Sequence, residues 1–150
     1  MRRFVLDTNI FIAYARRYEP LINRIEQDLH LLADPSHVVM LSVVTEAECI
    51  SFALKHQWGV AKVQTLKSMV RKFPVIDIHS ASTKLLDVYA EIDAFSEFKL
   101  AKRPTVGGAI HMGKNDLWIA ATAHIFNAEL VTTDADFDHL QGEYLSVHRF

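Results

Sequence analysis

Met1-Arg2-Arg3-Phe4-Val5-Leu6-Asp7-Thr8-Asn9-Ile10 is the stretch whose reading decides the fold. Phe4, Val5 and Leu6 form an apolar run too short for a helix and β-prone enough for a fully buried strand. Asp7 stands where that strand ends. Beyond it Ile10, Phe11, Ala13, Tyr14 and Ala15 recur with helical spacing, so Asp7-Thr8-Asn9 is a strand-to-helix turn. In open α/β sheets ligands bind outside the carboxyl ends of the strands. A carboxylate at this point is therefore a functional candidate, although Asp, Thr and Asn are also ordinary helix N-caps.

Outward from that turn, strands and helices alternate. A helix runs toward Arg17, and after a break at Pro20 a second runs through Leu32, with Leu21, Ile22, Ile25, Leu29 and Leu32 as its apolar stripe. Val38 to Leu41 is the next strand. Val43 to Lys55 follows as a helix, with Val44, Ala47, Phe52 and Leu54 expected inward. Another amphipathic helix covers Val60 to Phe73. Val75 to Ile78 is the third strand, and Ser80 to Ser82 can cap a helix from Thr83 to Phe95, with Leu85, Leu86, Val88, Tyr89 and Ile92 on its apolar side. Lys99 to Met112, with Pro104, Gly107 and Gly108, reads as a long loop, a class that is more often functional or mobile than inert. Asn115-Asp116 opens a helix to Phe126. Glu129 to Thr132 is the fourth strand, Asp134 to Leu140 a short helix, and Tyr144 to His148 a fifth strand at an edge. This order predicts an α/β fold with βαβ crossovers, a mostly parallel sheet of four or five strands and helices on both faces.

Composition fits that class. The chain has 150 residues, half of them hydrophobic and 23% charged, which suits one domain over 1–150 with a substantial core. No apolar run is long enough to span a bilayer, and Asp7 interrupts the start before any secretory core can form. The cytoplasm is the expected compartment. Cys49 is the only cysteine, which excludes an internal disulfide and a cysteine-based zinc site. The eight histidines offer no pair at zinc-site spacing. A net charge of −2 does not advertise nucleic-acid binding, and Arg2-Arg3, Arg16-Arg17, Arg71-Lys72 and Lys99 to Arg103 read as solvated faces.

The acids carry the chemistry. Asp7 ends the first strand, Glu46 and Glu48 sit early in the helix after the second, Asp116 opens the helix after the loop, and Asp134 follows the fourth strand. Each has a plainer reading: Thr45-x-x-Glu48 fits a capping box, and Asp116 and Asp134 fit caps or dipole-favoured first-turn acids. Caps alone do not explain why so many acids should gather at one rim with nothing basic beside them in sequence. Two carboxylates about 4 Å apart repel by roughly 4 kcal/mol at an effective dielectric near 20. Crowded acids therefore need a cation or must take up protons. Oxygen ligands suit Mg²⁺ or Mn²⁺, and such an ion can activate water against a phosphodiester.

Phe-Val-Leu-Asp-Thr-Asn-Ile-Phe at 4–11, Leu-Ser-Val-Val-Thr-Glu-Ala-Glu at 41–48, Asn-Asp-Leu-Trp-Ile-Ala-Ala-Thr-Ala at 115–123 and Leu-Val-Thr-Thr-Asp-Ala-Asp-Phe at 130–137 together resemble the PIN-domain ribonucleases, specifically the VapC toxins of toxin–antitoxin pairs. The resemblance implies a three-layer α/β/α sandwich. It also implies Mg²⁺ or Mn²⁺ dependence and endonucleolytic hydrolysis of RNA that leaves a 5′-phosphate. It places the metal ligands and catalytic acids at Asp7, Glu48 (rather than Glu46), Asp116 and Asp134, with Asp136 in reserve. Thr8, Asn9 and Asn115 would support the ligands or touch substrate, and the Thr132 hydroxyl would orient an acid. A homodimer and a small VapB-like antitoxin that blocks the acidic groove are implied as partners. The stretch 99–112 departs from the family's shorter, proline-rich approach. The rival readings are a PIN nuclease of RNA processing without an antitoxin, and a PIN-like module that binds RNA or protein without cutting.

Overall fold

The structure is a computed structural model, and it describes residues 1–79 and 83–150. The expected helix cap at Ser80 to Ser82 lies outside the described residues. Five strands form one sheet in the order β3-β2-β1-β4-β5: β1 Arg3–Leu6, β2 Val38–Ser42, β3 Val75–Ile76, β4 Glu129–Thr132 and β5 Val147–Arg149. Every pairing is parallel, Val5 lying opposite Met40 on one side and Leu130 on the other. The sheet is thus wholly parallel among the described residues, where the sequence predicts it mostly so. β5 is shorter than Tyr144 to His148 because its pairing with β4 begins only at Val147.

The two-residue side-chain period of a strand separates two cores across this sheet. Phe4, Leu6, Val39, Leu41 and Val131 point to one face. There they meet α1 (Thr8–Ala15), α2 (Glu19–Leu29), α3 (Val43–Lys55) and α4 (Val60–Val70). Val5, Met40 and Leu130 point to the other, against α5 (Thr83–Ser96) and α6 (Lys114–Ile125), which lie side by side. The result is a three-layer α/β/α sandwich. Before β3 the chain winds to one side of β1, and after it to the other. The order reverses between β1 and β4, and at such a switch point the carboxyl ends of neighbouring strands leave an open crevice. Asp7 lies at one wall of that crevice and Asp134 just beyond the other.

Some expected facings are corrected. Ala47 and Leu54 are exposed, and α3 instead buries Thr45, Cys49 and Ala53, four residues apart. Small side chains let the helix seat closely on its neighbours, so the bulkier apolar residues do not mark its inner stripe. Leu32 and Leu86 are likewise exposed, Leu32 because α2 already ends at Leu29. The segment Ala135–Leu140 is a 3-10 helix capped by Asp134.

Glu129 ties three strands together at the opposite end of the sheet. It accepts from Arg2 Nε (2.8 Å) and Nη2 (2.6 Å), and His148 Nε2 lies 2.5 Å from its Oε2. Chiefly through the Arg2 hydrogen bonds, its carboxyl is held down at about 2. An acid whose folded pKa is depressed stabilises the fold above its unfolded pKa, and that contribution is lost as pH falls through the folded value. Glu129→Gln should therefore cost about 1–2 kcal/mol near pH 7, after allowance for solvent screening. Denaturant titrations should find the gap to the parent narrowing below pH 4.5 and closing toward pH 2.

Candidate active site

Asp7 follows the last residue of β1 in extended backbone (φ −65°, ψ 154°), and its main-chain carbonyl accepts from Ile10 and Phe11 as α1 begins. The cap and the functional candidate are the same residue. Its side chain is nearly buried, at 3% exposure. Oδ1 accepts from the Thr8 N–H (2.7 Å), and Oδ2 accepts from the Thr132 hydroxyl (2.7 Å). Thr132 in turn accepts from the Asp134 N–H at 2.9 Å, and Asp134 Oδ1 accepts from the Asp136 N–H at 2.9 Å. The end of β4 thereby fixes the carboxylate at the end of β1. Burial raises the Asp7 pKa, Thr132 and Thr8 oppose that rise, and the charges of Asp134 and Glu48 add to it.

Glu48 enters from α3. The Thr8 hydroxyl donates to its Oε2, and Asn115 Nδ2 donates to its Oε1 at 2.7 Å. One carboxylate thus joins α1, α3 and α6. The capping-box reading of Thr45-x-x-Glu48 is overturned: Ser42 caps α3 by accepting from the Val44 N–H, and the buried Thr45 hydroxyl has no partner among the described residues.

Asp116 lies in the first turn of α6. Its carboxyl is pushed up to about 6, first by burial and then by the charges of Asp7, Asp134, Glu48 and Asp136. Gly113, the cap of α6, gives it room, since a Cβ there would stand 2.8 Å from Asp116 Oδ2. Nothing in the sequence around Gly113 signals that role.

Asp7, Thr8, Asn9, Glu48, Asn115 and Asp116 share a cleft of about 570 Å³. Ser51, Phe52 and Lys55 of α3 also line it; the sequence reading missed them, although their spacing from Glu48 puts them on its helix face. Asp134 and Asp136 lie outside that lining. Asp134 is half-buried and acts on both Asp7 and Asp116, whereas Asp136 is exposed and acts on Asp116 but not on Asp7. His111 is exposed and pairs with Glu97 at 2.8 Å, away from the cleft. Trp118 rests on Tyr89, ring centroids 4.2 Å apart, as a packing residue. Cys49, pushed up to about 12 by burial, is no nucleophile.

Among the described residues, no ion pair engages Asp7, Glu48, Asp116, Asp134 or Asp136. Nor do any three Asp, Glu, His or Cys side chains close into a ready-made metal cage. That donor set suits a particular kind of ion. Mg²⁺ keeps several waters and takes only one or two protein carboxylates directly, the others acting through those waters. Carboxylates such as Asp7 and Glu48, held by hydroxyl and amide donors and engaged in no ion pair among the described residues, fit such a hydrated hard cation. They do not fit a soft or fully dehydrated one.

Comparison with known proteins agrees with this architecture. The PIN domain family model matches residues 4–143. No curated protein matches the sequence. Among solved structures, the chain is similar to VapBC2 from Rickettsia felis, described as bound to a DNA fragment from their promoter, at TM-score 0.74 and 23% identity over 98% of each chain. It is similar to VapBC-1 from nontypeable Haemophilus influenzae at TM-score 0.71 and 23% identity, covering 98% of this chain and 97% of that one. VapBC-5 from Mycobacterium tuberculosis, a member of the VapBC family of toxin–antitoxin systems, is similar at TM-score 0.59 and 21% identity over the whole of both chains.

Proposed function

This chain belongs to the PIN domain family, and from that premise we propose that it is a VapC-like toxin, an endoribonuclease dependent on Mg²⁺ or Mn²⁺. The observation that carries the reading is the meeting of Asp7, Glu48 and Asp116 in one cleft beside Asp134, with no ion pair to any of them among the described residues and with Asp116 raised to about 6. Asp7, Glu48, Asp116 and Asp134 would hold the ion between them. When bound, a divalent cation supplies water activation and neutralises charge building on a phosphodiester.

The protein's own part is to hold its oxygens in place. Thr132 fixes Asp7 Oδ2, and Thr8 with Asn115 fixes both oxygens of Glu48, so those carboxylates need little reorganisation when charge develops. Asn9, exposed on the cleft wall, is placed to touch substrate. Asp116, its carboxyl pushed up to about 6, would hold a proton at mildly acidic pH and release it on taking its place as a ligand. The similarity to VapBC complexes supports a small antitoxin that covers the cleft, and a homodimer is part of the same reading.

Purified protein incubated with single-stranded RNA should cut internally in Mg²⁺ or Mn²⁺, leave 5′-phosphates and stop on chelation with EDTA. Cleavage that persists undiminished in EDTA, or intact RNA at every metal concentration, would refute the assignment.

A further inference from the structure

A second cleft, about 490 Å³, lies against the same helix α1 and shares Asn9 and Ile12 with the acidic one. Beyond those shared residues it carries no acid: Ala13, Arg16, Arg17, Tyr18, Leu21 and Thr133 line it. Asn9, Ile12 and Arg16 follow at intervals of three and four, so a single helical face passes from the acids to the arginines. At 1.5 Å per residue, that passage covers about 10 Å along the axis. Thr133 adjoins Thr132, so the groove also touches the segment that fixes Asp7.

Both arginines are exposed, and neither has an ion-pair partner among the described residues. Tyr18 is 57% exposed, a large aromatic surface beside two guanidinium groups. Lys55 lies on the acidic cleft at the far end of α3. A polyanion entering the acidic cleft meets repulsion there, and cations outside it can offset that repulsion while leaving the reacting centre clear.

On the reading of the acidic cleft as a nuclease site, we propose that Arg16, Arg17 and Tyr18 form a subsite for the RNA strand that flanks the cut. The arginines bind a phosphate, Tyr18 stacks on a base, and the strand passes over Asn9 into the acidic cleft. Guanidinium forks match phosphate geometry, and base–aromatic stacking is indifferent to sequence. An acidic peptide would satisfy the arginines, but it offers no planar base to the exposed Tyr18 ring.

The test uses the full chain carrying Asp7→Asn, with and without Arg16→Ala plus Arg17→Gly, and a fluorescent single-stranded RNA in Mg²⁺. Arg17 has φ +55°, where glycine is at ease, so its replacement does not threaten the fold. The arginine substitutions should weaken RNA binding about tenfold and reduce the salt slope of log K by about 0.7, the value for one phosphate charge no longer neutralised. A glutamate-rich peptide of equal charge should bind at least about tenfold more weakly than the RNA. Unchanged affinity and slope, or a peptide that competes as well as RNA, would overturn the subsite.

In the Asp7-intact chain the same two substitutions should raise KM and leave kcat within about twofold. Cleavage with an unaltered KM would remove the subsite and leave the nuclease standing. Arginine-dependent RNA binding by a parent that never cuts would do the reverse.

Discussion

Replacing Asp7 by Asn is expected to lower RNA cleavage by at least about 10²–10³-fold while leaving the chain folded. Asp7 is nearly buried, and both its oxygens are engaged in the metal-free protein. Asparagine keeps the shape: its carbonyl still accepts from the Thr8 N–H, and its amide faces the Thr132 oxygen. What disappears is a negative charge whose burial the fold already disfavours. Stability should hold or rise, while one of the proposed ligand carboxylates is lost. Cleavage rates on a quenched fluorescent RNA, read beside a thermal melt, separate the two effects. A folded Asp7→Asn protein that cuts at the parental rate would remove Asp7 from the chemistry.

Asp116→Asn should be more stable than the parent and inactive. An acid whose folded pKa, here about 6, exceeds its ordinary 3.8 is penalised once ionised, so the parent carries that penalty above about pH 6 and sheds it as pH falls toward 3.8. Discounted for partial exposure, the gain on substitution is about 1–2 kcal/mol at pH 7, or a few degrees in Tm for a chain of this size. The advantage should shrink steadily below pH 6. Mg²⁺ should narrow it as well, because an ion that binds the folded parent stabilises it by mass action. A variant less stable than the parent at pH 7, or a gap that widens in acid, would mean that neither burial nor the neighbouring charges disfavour the Asp116 carboxylate.

Much of this was legible in the residues because the signals were local. Phe4 to Leu6 could be read as a buried strand, and the bounds of α3 fall at Val43 and Lys55 as periodicity predicts. The acids at strand ends followed from the βα order. What stayed hidden depends on interactions between distant parts of the chain. Glu48 is held by Thr8 and Asn115, respectively 40 and 67 residues away, and no local rule distinguishes that from a capping box. The inner stripe of α3 is built from Thr45, Cys49 and Ala53, too small to stand out on hydrophobicity. Gly113 matters only because α6 brings Asp116 Oδ2 to where a Cβ would be. Arg16 and Arg17 read as a solvated face until folding set them in a groove beside Asn9.

Binding of Mn²⁺ to the parent and to Asp116→Asn, followed by electron paramagnetic resonance as the ion is titrated in, probes the acids most directly. The parent should take up Mn²⁺ that keeps most of its water, with release of protons near pH 6, and the variant should bind at least about tenfold more weakly. Equal binding by the two proteins, or none by the parent at millimolar Mn²⁺, would contradict a cleft whose carboxylates are reconciled by a divalent cation.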